Sequence, residues 1–240
     1  MYKKINYSFK AILSGLALLC VAYSAASQQN WNEIDTTGYY TSETFNKKKF
    51  TLVFTNKDSG FSKETAQRMI DAFFEVYPKE VKRFNKDALK KVTFIIDPAY
   101  KGVAATSNGI VRYNPEWMKK HPEDIDVVTH EAMHIVQNYG GKGEGWLTEG
   151  IADYVRYKFG VNNEKGNWSL PAFKETQSYT NSYRITARFL AWLEKNVNKK
   201  IVDQLDEASR KGNYTANSWK EFTGRSVDEL WKDYAANPVF

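Results

Sequence analysis

Apolar residues recur along this chain with two different periods, and the change between them divides it. KFTLVFTN (49–56) and KVTFIID (91–97) are rich in β-branched and aromatic residues and predict strands, the second stopped by Asp97-Pro98. Between them Ser62 has the form of a helix N-cap. Thr65, Ala66, Met69, Ile70, Phe73, Phe74 and Tyr77 follow at helical spacing, which predicts a helix ending before Pro78. VAATSNGIVRY (103–113) predicts two short strands about an Asn-Gly turn. From Asp124 the period is helical. Ile125, Val128, Ala132, Ile135, Val136 and Tyr139 form one apolar stripe, with Glu131, His134, Gln137 and Asn138 opposite. The stretch Pro122–Asp124 suits the start of that helix and Gly140-Gly141 its stop. After the loop GGKGEG a second helix is predicted over Leu147–Phe159, stopped at Gly160. A polar loop containing Trp168 spans 160–180, and the remainder from Tyr183 is helical, with Ser226 and Glu229 forming a capping box. The polar segment 28–46 predicts no definite element.

The first residues follow a different plan. Lys3, Lys4 and Lys10 precede an uncharged apolar run from Ala11 to about Ala22, and Ser24 and Ala26 sit where a signal peptidase would read them. This predicts a signal peptide over 1–26, a secreted or periplasmic protein without a stable membrane anchor, and one domain over 27–240. That domain would divide into an α/β lobe over about 45–140 and a helical lobe over about 146–240. Leu19 before Cys20 argues against lipidation, and removal of the segment leaves no cysteine. Loss of its three lysines takes the net charge from +6 to near +3. With no block of basic residues beyond KKK (47–49), read as a solvated strand edge, nucleic acid is not an expected partner.

Two of the chain's three histidines lie in THEAMH. Histidines four apart project from one helix face about 6 Å apart along the axis, so His130 and His134 can share one zinc ion, and Glu131 between them can take a proton from water at the ion's open position. A catalytic zinc needs a third protein ligand, and no histidine follows His134. The carboxylates on offer are Glu149, on the next helix with Asp153 one turn on, and Glu144, in the glycine-rich loop. Fixing Glu144 would cost more backbone entropy, which favours Glu149 as ligand and Asp153 as acceptor from a ligand histidine. The plainer alternatives are a surface helix with incidental histidines and an ordinary charge pattern of Glu149, Asp153 and Arg156. The glycine loop follows a helix rather than a strand and lacks the ending of a phosphate cradle.

THEAMHIVQNY, GWLTEGIADYVRY, SYRITARFLAWLE and SVDELWKDY, with GVAATSNGIVRYNPEW before them, together resemble the basic secretory protein family of plants and bacteria, over residues 100–234. The resemblance implies a zinc-dependent peptidase. His130, His134 and Glu149 would be the ligands of one zinc ion per chain, and Glu131 the catalytic acid and base. It also implies an α+β, zincin-like fold, with a small N-terminal mixed sheet and helices above a mainly helical C-terminal lobe.

On that reading the substrate is a peptide or protein, held extended by an edge strand, for which Val103, Ala104, Ala105 and Thr106 are the candidates. Tyr183, at the start of a helix, is the candidate donor to the oxyanion, with Tyr157 and Arg156 behind it. A monomer is favoured. Two other readings stay open: a zinc-binding module that recognises extracellular protein or glycan without hydrolysis, and a zinc-free helical surface protein.

Overall fold

The computed structural model describes residues 38–240, so the expected signal segment over 1–26 lies outside the described residues. Five strands form one mixed sheet in the order β1-β2-β3-β5-β4: β1 Thr41–Lys47, β2 Phe50–Asn56, β3 Lys91–Ile96, β4 Ala104–Ser107 and β5 Ile110–Tyr113. β2, β3 and β5 run parallel, and the two edge strands pair antiparallel with their neighbours. β1 falls in the polar segment for which no element was expected. It is exposed along almost its whole length, so it lacks the apolar alternation that marks a strand. Of the lysine run, Lys47 ends this edge strand, and Lys48 and Lys49 form the turn to β2, with Lys48 in the left-handed region at φ 56°.

The register brings Leu52 beside Val92, Phe94 between Phe54 and Val111, and Ile96 beside Tyr113, all of them buried. α1, Lys63–Arg83, packs on this apolar surface, with the Phe73 ring 5.4 Å from that of Phe94 and stacked at 4.9 Å on Tyr77. Ser62 caps the helix as its sequence suggests, accepting from the Thr65 N–H. The helix does not end at Pro78, however, and runs one further turn and more to Arg83. An interior proline costs about 3 kcal/mol. Burial of Val81 and Phe84 and the ion pairs of Arg83 with Asp203 and Glu194 offset that cost.

The Asn-Gly hairpin is as expected: Asn108 and Gly109 take φ 50° and 76°, and Ser107 faces Ile110 across a two-residue turn. Asn114 then caps α2, Pro115–Lys120. α3, Val127–Gln137, starts after the Pro-Glu-Asp stretch expected to open it, because those acids are engaged elsewhere. Glu123 binds Arg68, and Asp124 binds Arg156 and the Trp117 indole. α3 ends at Asn138, which takes the left-handed C-cap (φ 44°) two residues ahead of the glycine pair. α4, Gly145–Phe159, α5, Tyr183–Asn196, α6, Ile201–Lys211, α7, Ser218–Thr223, and α8, Val227–Ala236, complete the described fold. The Ser226–Glu229 capping box is present at the start of α8. Within the helices Phe189, Trp219, Trp231 and Tyr234 make a continuous aromatic core.

Candidate active site

α3 is buried on nearly all sides, because its polar side is covered as well as its apolar stripe. α4 lies across it, and β4 lies against it, with the Thr106 hydroxyl 2.6 Å from Glu131 Oε2 and 3.1 Å from the Glu131 carbonyl. His130 and Glu131 are therefore only 8% and 5% exposed.

Three side chains converge. His130 Nε2 lies 3.1 Å from His134 Nε2 and 3.1 Å from Glu149 Oε2, and His134 Nε2 lies 3.5 Å from the same carboxylate oxygen. Ligands about 2.0–2.1 Å from a tetrahedral zinc lie roughly 3.3 Å from one another. The outer nitrogens fix how each ring is turned. His130 Nδ1 donates to Asp153 Oδ1 at 2.7 Å and His134 Nδ1 donates to Gln137 Oε1 at 2.7 Å. The Gln137 amide is oriented by its own N–H bond to the Thr148 carbonyl at 2.9 Å, so its oxygen faces the ring. An imidazole that keeps its Nδ1 proton has Nε2 free to coordinate, and the Nε2 atoms of both rings face the Glu149 carboxylate. The two nitrogens and the carboxylate oxygen lie within 4.8 Å of one another and could hold a metal ion, and the donor set suits zinc.

The electrostatics agree. Burial disfavours a charge on His130, but its bonds to Asp153 and Glu149 outweigh that and push its pKa up to about 10. Burial acts on Glu149 in the opposite sense, yet hydrogen bonds from His130 and His134 hold it well below the usual carboxylate range. Asp153, Glu149 and Glu131 thus favour a positive charge at His130.

Tyr183 lies over this centre, its ring 6.0 Å from the His130 ring and nearly parallel to it. Burial, with the charges of Glu149, Asp153 and Glu131, pushes its hydroxyl up to about 12, so it remains a donor. The backbone that holds it is strained: Ser182 has φ 67° with ψ 179°, and Tyr183 has φ 48°. Such residues cost on the order of 1–3 kcal/mol each, and they persist where packing fixes them. Here Thr186 donates to the Tyr179 carbonyl at 2.6 Å and packs into the gap left by Gly150, where a Cβ would meet Thr186 Cγ2 at 2.2 Å.

The other candidates separate. β4 carries Ala104, Ala105 and Thr106, and Val103 immediately precedes it. Arg156 and Tyr157 do not join the cluster. Arg156 pairs with Asp124 at 2.5 Å and stacks on Trp168, while Tyr157 is exposed beside Phe240. Glu144 is exposed at the cap of α4, so the group of potential ligands found among the described residues is His130, His134 and Glu149. Sequence reasoning missed Gln137 and the Thr106 hydroxyl. Gln137 had a signal, since three residues from His134 is one helical turn.

The model of a family of peptidases of plants and bacteria, BSP, matches residues 36–234, and the chain belongs to that family. No curated protein matches it significantly. Among solved structures it is similar to an aminopeptidase N family protein from Idiomarina loihiensis, at 10% identity and a TM-score of 0.48, covering 80% of this chain and 46% of that one. A variant of an M1 zinc metallopeptidase from Deinococcus radiodurans is similar at 10% identity and a TM-score of 0.45, over 84% of this chain and 52% of that one. The Deinococcus protein bound to a Tyr-Ser-Ala substrate is similar at 17% identity and a TM-score of 0.40, over 82% and 48%. The chain thus spans about half the length of these proteins. No helix among the described residues is long and apolar enough to cross a membrane.

Proposed function

We propose that the protein is a secreted zinc metallopeptidase that cleaves extended peptides, in which His130, His134 and Glu149 hold one zinc ion per chain. The carrying observation is the convergence of two imidazole Nε2 atoms and a carboxylate at 3.1–3.5 Å, with the Nδ1 atoms bonded to Asp153 and Gln137. Zinc held there supplies Lewis-acid activation of a water and of the scissile carbonyl. Glu131 then takes the proton of the attacking water and delivers it to the leaving amine. The Thr106 hydroxyl, donating to Glu131 Oε2, leaves Oε1 as the oxygen that works. Tyr183 donates its phenol hydrogen to the developing oxyanion, and the edge of β4 holds the peptide main chain beside it. Asp153 keeps His130 in the tautomer that presents Nε2. The protein acts as a monomer, as one domain over 27–240, after loss of the signal segment.

The test is direct. Purified protein should hold close to one zinc per chain and cleave casein, and a chelator should abolish cleavage. Glu131→Gln should lower turnover by about 10³-fold while zinc stays bound. Zinc bound with no turnover by the unaltered protein would favour the non-hydrolytic binding module, and cleavage surviving Glu131→Gln would overturn the role of that residue.

A further inference from the structure

The edge of β4 is not open along its whole length. No strand lies beyond it among the described residues, and its register with β5 shows which of its groups turn outward. The Val103 carbonyl accepts from the Asn114 N–H at 3.0 Å, so 103, 105 and 107 turn their main chain toward β5, while Ala104 and Thr106 turn theirs to the free side. Thr106 stands over Glu131. Ala104, two residues back, is already occupied: its outward carbonyl accepts a hydrogen bond from the Tyr100 hydroxyl at 3.0 Å.

That phenol is held from several directions. Tyr100 N–H donates to the Asp97 carbonyl at 3.1 Å, and Asp97 Oδ1 accepts from Ala99 N–H at 2.9 Å, which closes the turn. Asp97 is fixed in turn by Arg112 at 2.6 Å in a pair whose side chains are 9% and 7% exposed, and the Arg112 guanidinium lies 5.2 Å from the Tyr100 ring. Gly102 leaves room for the ring, because a Cβ there would come within 2.6 Å of the Tyr100 hydroxyl oxygen. A side chain with this much support does not leave its place without cost.

We infer that Tyr100 is a specificity-determining residue that terminates the substrate-pairing edge at Ala104. The preferred substrate then extends along the edge on the Thr106 side only. On the other side of the scissile bond it is short or leaves the strand. This inference rests on the proposed peptidase reading, with β4 as the edge that holds substrate.

Binding and turnover are measured separately so that the two ideas fail separately. Isothermal titration of zinc-loaded Glu131→Gln with a nested series of alanine-based peptides, lengthened at one end or the other from about four to about ten residues, reads the edge without cleavage. Affinity should rise as one end lengthens and should level off early at the other. Adding Tyr100→Phe, which frees the Ala104 carbonyl, or Gly102→Ala, which displaces the ring, should let the levelled end gain about 2- to 10-fold, the worth of one main-chain hydrogen bond. The same length dependence at both ends with and without these changes overturns the inference. If the lengthening pattern responds to Tyr100 while the unaltered protein cleaves no peptide of the series, the cap stands and the peptidase reading falls. Binding of no peptide overturns both.

Discussion

Two buried polar clusters in this protein look alike in burial and differ in charge. Near the end of α3, Asp206 is fully buried, accepts from the Tyr139 hydroxyl at 2.9 Å and pairs with Arg210 at 2.5 Å, while Arg210 also donates to the Phe84 carbonyl at 2.8 Å. Its negative charge meets a positive one supplied by the chain. One turn and more back along α3, Glu149 and Asp153 are met by histidines and Glu131 by a hydroxyl, and the two histidines commit their Nδ1 protons to outer acceptors. The first cluster is closed and reads as structure. The second sets two imidazoles among the carboxylates of Glu131, Glu149 and Asp153, a donor set that suits a cation. Burial and hydrogen bonding do not tell the two apart; the balance of charge does.

The contrast breaks most sharply if a ligand is removed. His134→Ala should weaken zinc by about 10³-fold or more, a share of the 10–16 kcal/mol typical of a structural zinc divided among its ligands. Competition with a chelating dye reads this directly, and unaltered zinc affinity would mean the ion, if any, sits elsewhere. The closed cluster should respond in the other currency. Arg210→Met leaves Asp206 buried beside nothing positive, and should lower stability to urea by about 3 kcal/mol while zinc affinity stays within about twofold. A loss of zinc in that variant would show that the two clusters are one network.

These differences explain what the sequence could tell. His130, Glu131, His134, Glu149 and Asp153 were legible because a helix converts spacing into direction, and the five residues sit on only two helices. The bond from His134 to Gln137 was within reach of the same reasoning. The roles of Thr106 and Tyr100 toward Glu131 and Ala104 were not, because they depend on how β4 lies against α3 and on a turn folded over the strand's start, and both are long-range consequences of packing. Pro78 misled for the same reason: local chemistry favoured a stop, and contacts with residues more than a hundred positions away kept the helix going. β1 was silent because an exposed edge strand carries no apolar alternation, and the unusual backbone at Ser182 and Tyr183 has no marker in residues that rarely adopt it.

A smaller effect tests the orientation of one ligand rather than its presence. Asp153→Asn keeps the shape of the group that receives His130 Nδ1 but removes its charge, and an asparagine rotated the other way would offer an N–H where an acceptor is needed. Zinc affinity should fall by about 10- to 100-fold, with stability of the metal-free protein changed far less than in Arg210→Met. Wild-type affinity in this variant would reduce Asp153 from a partner of the ligand to ordinary buried polarity.

The smallest effect concerns the closed cluster alone and has a definite sign. Burial pushes Asp206 up to about 6 despite Arg210 and the Tyr139 hydroxyl, while the unfolded chain returns it to about 3.8. The folded state therefore holds the proton more tightly than the unfolded state between these values. Stability from this group is fully present below about 3.8 and is lost as pH rises through about 6. Between pH ~7.5 and pH ~5 the gain should be on the order of 1 kcal/mol. Other groups also change stability with pH, so the quantity to measure is the difference between wild type and Asp206→Asn in urea denaturation at the two pH values. That difference should shift toward the wild type at the lower pH. If the two proteins instead keep the same separation, the Asp206 charge is fully compensated by Arg210, and the closed cluster is even less like the metal centre than its burial suggests.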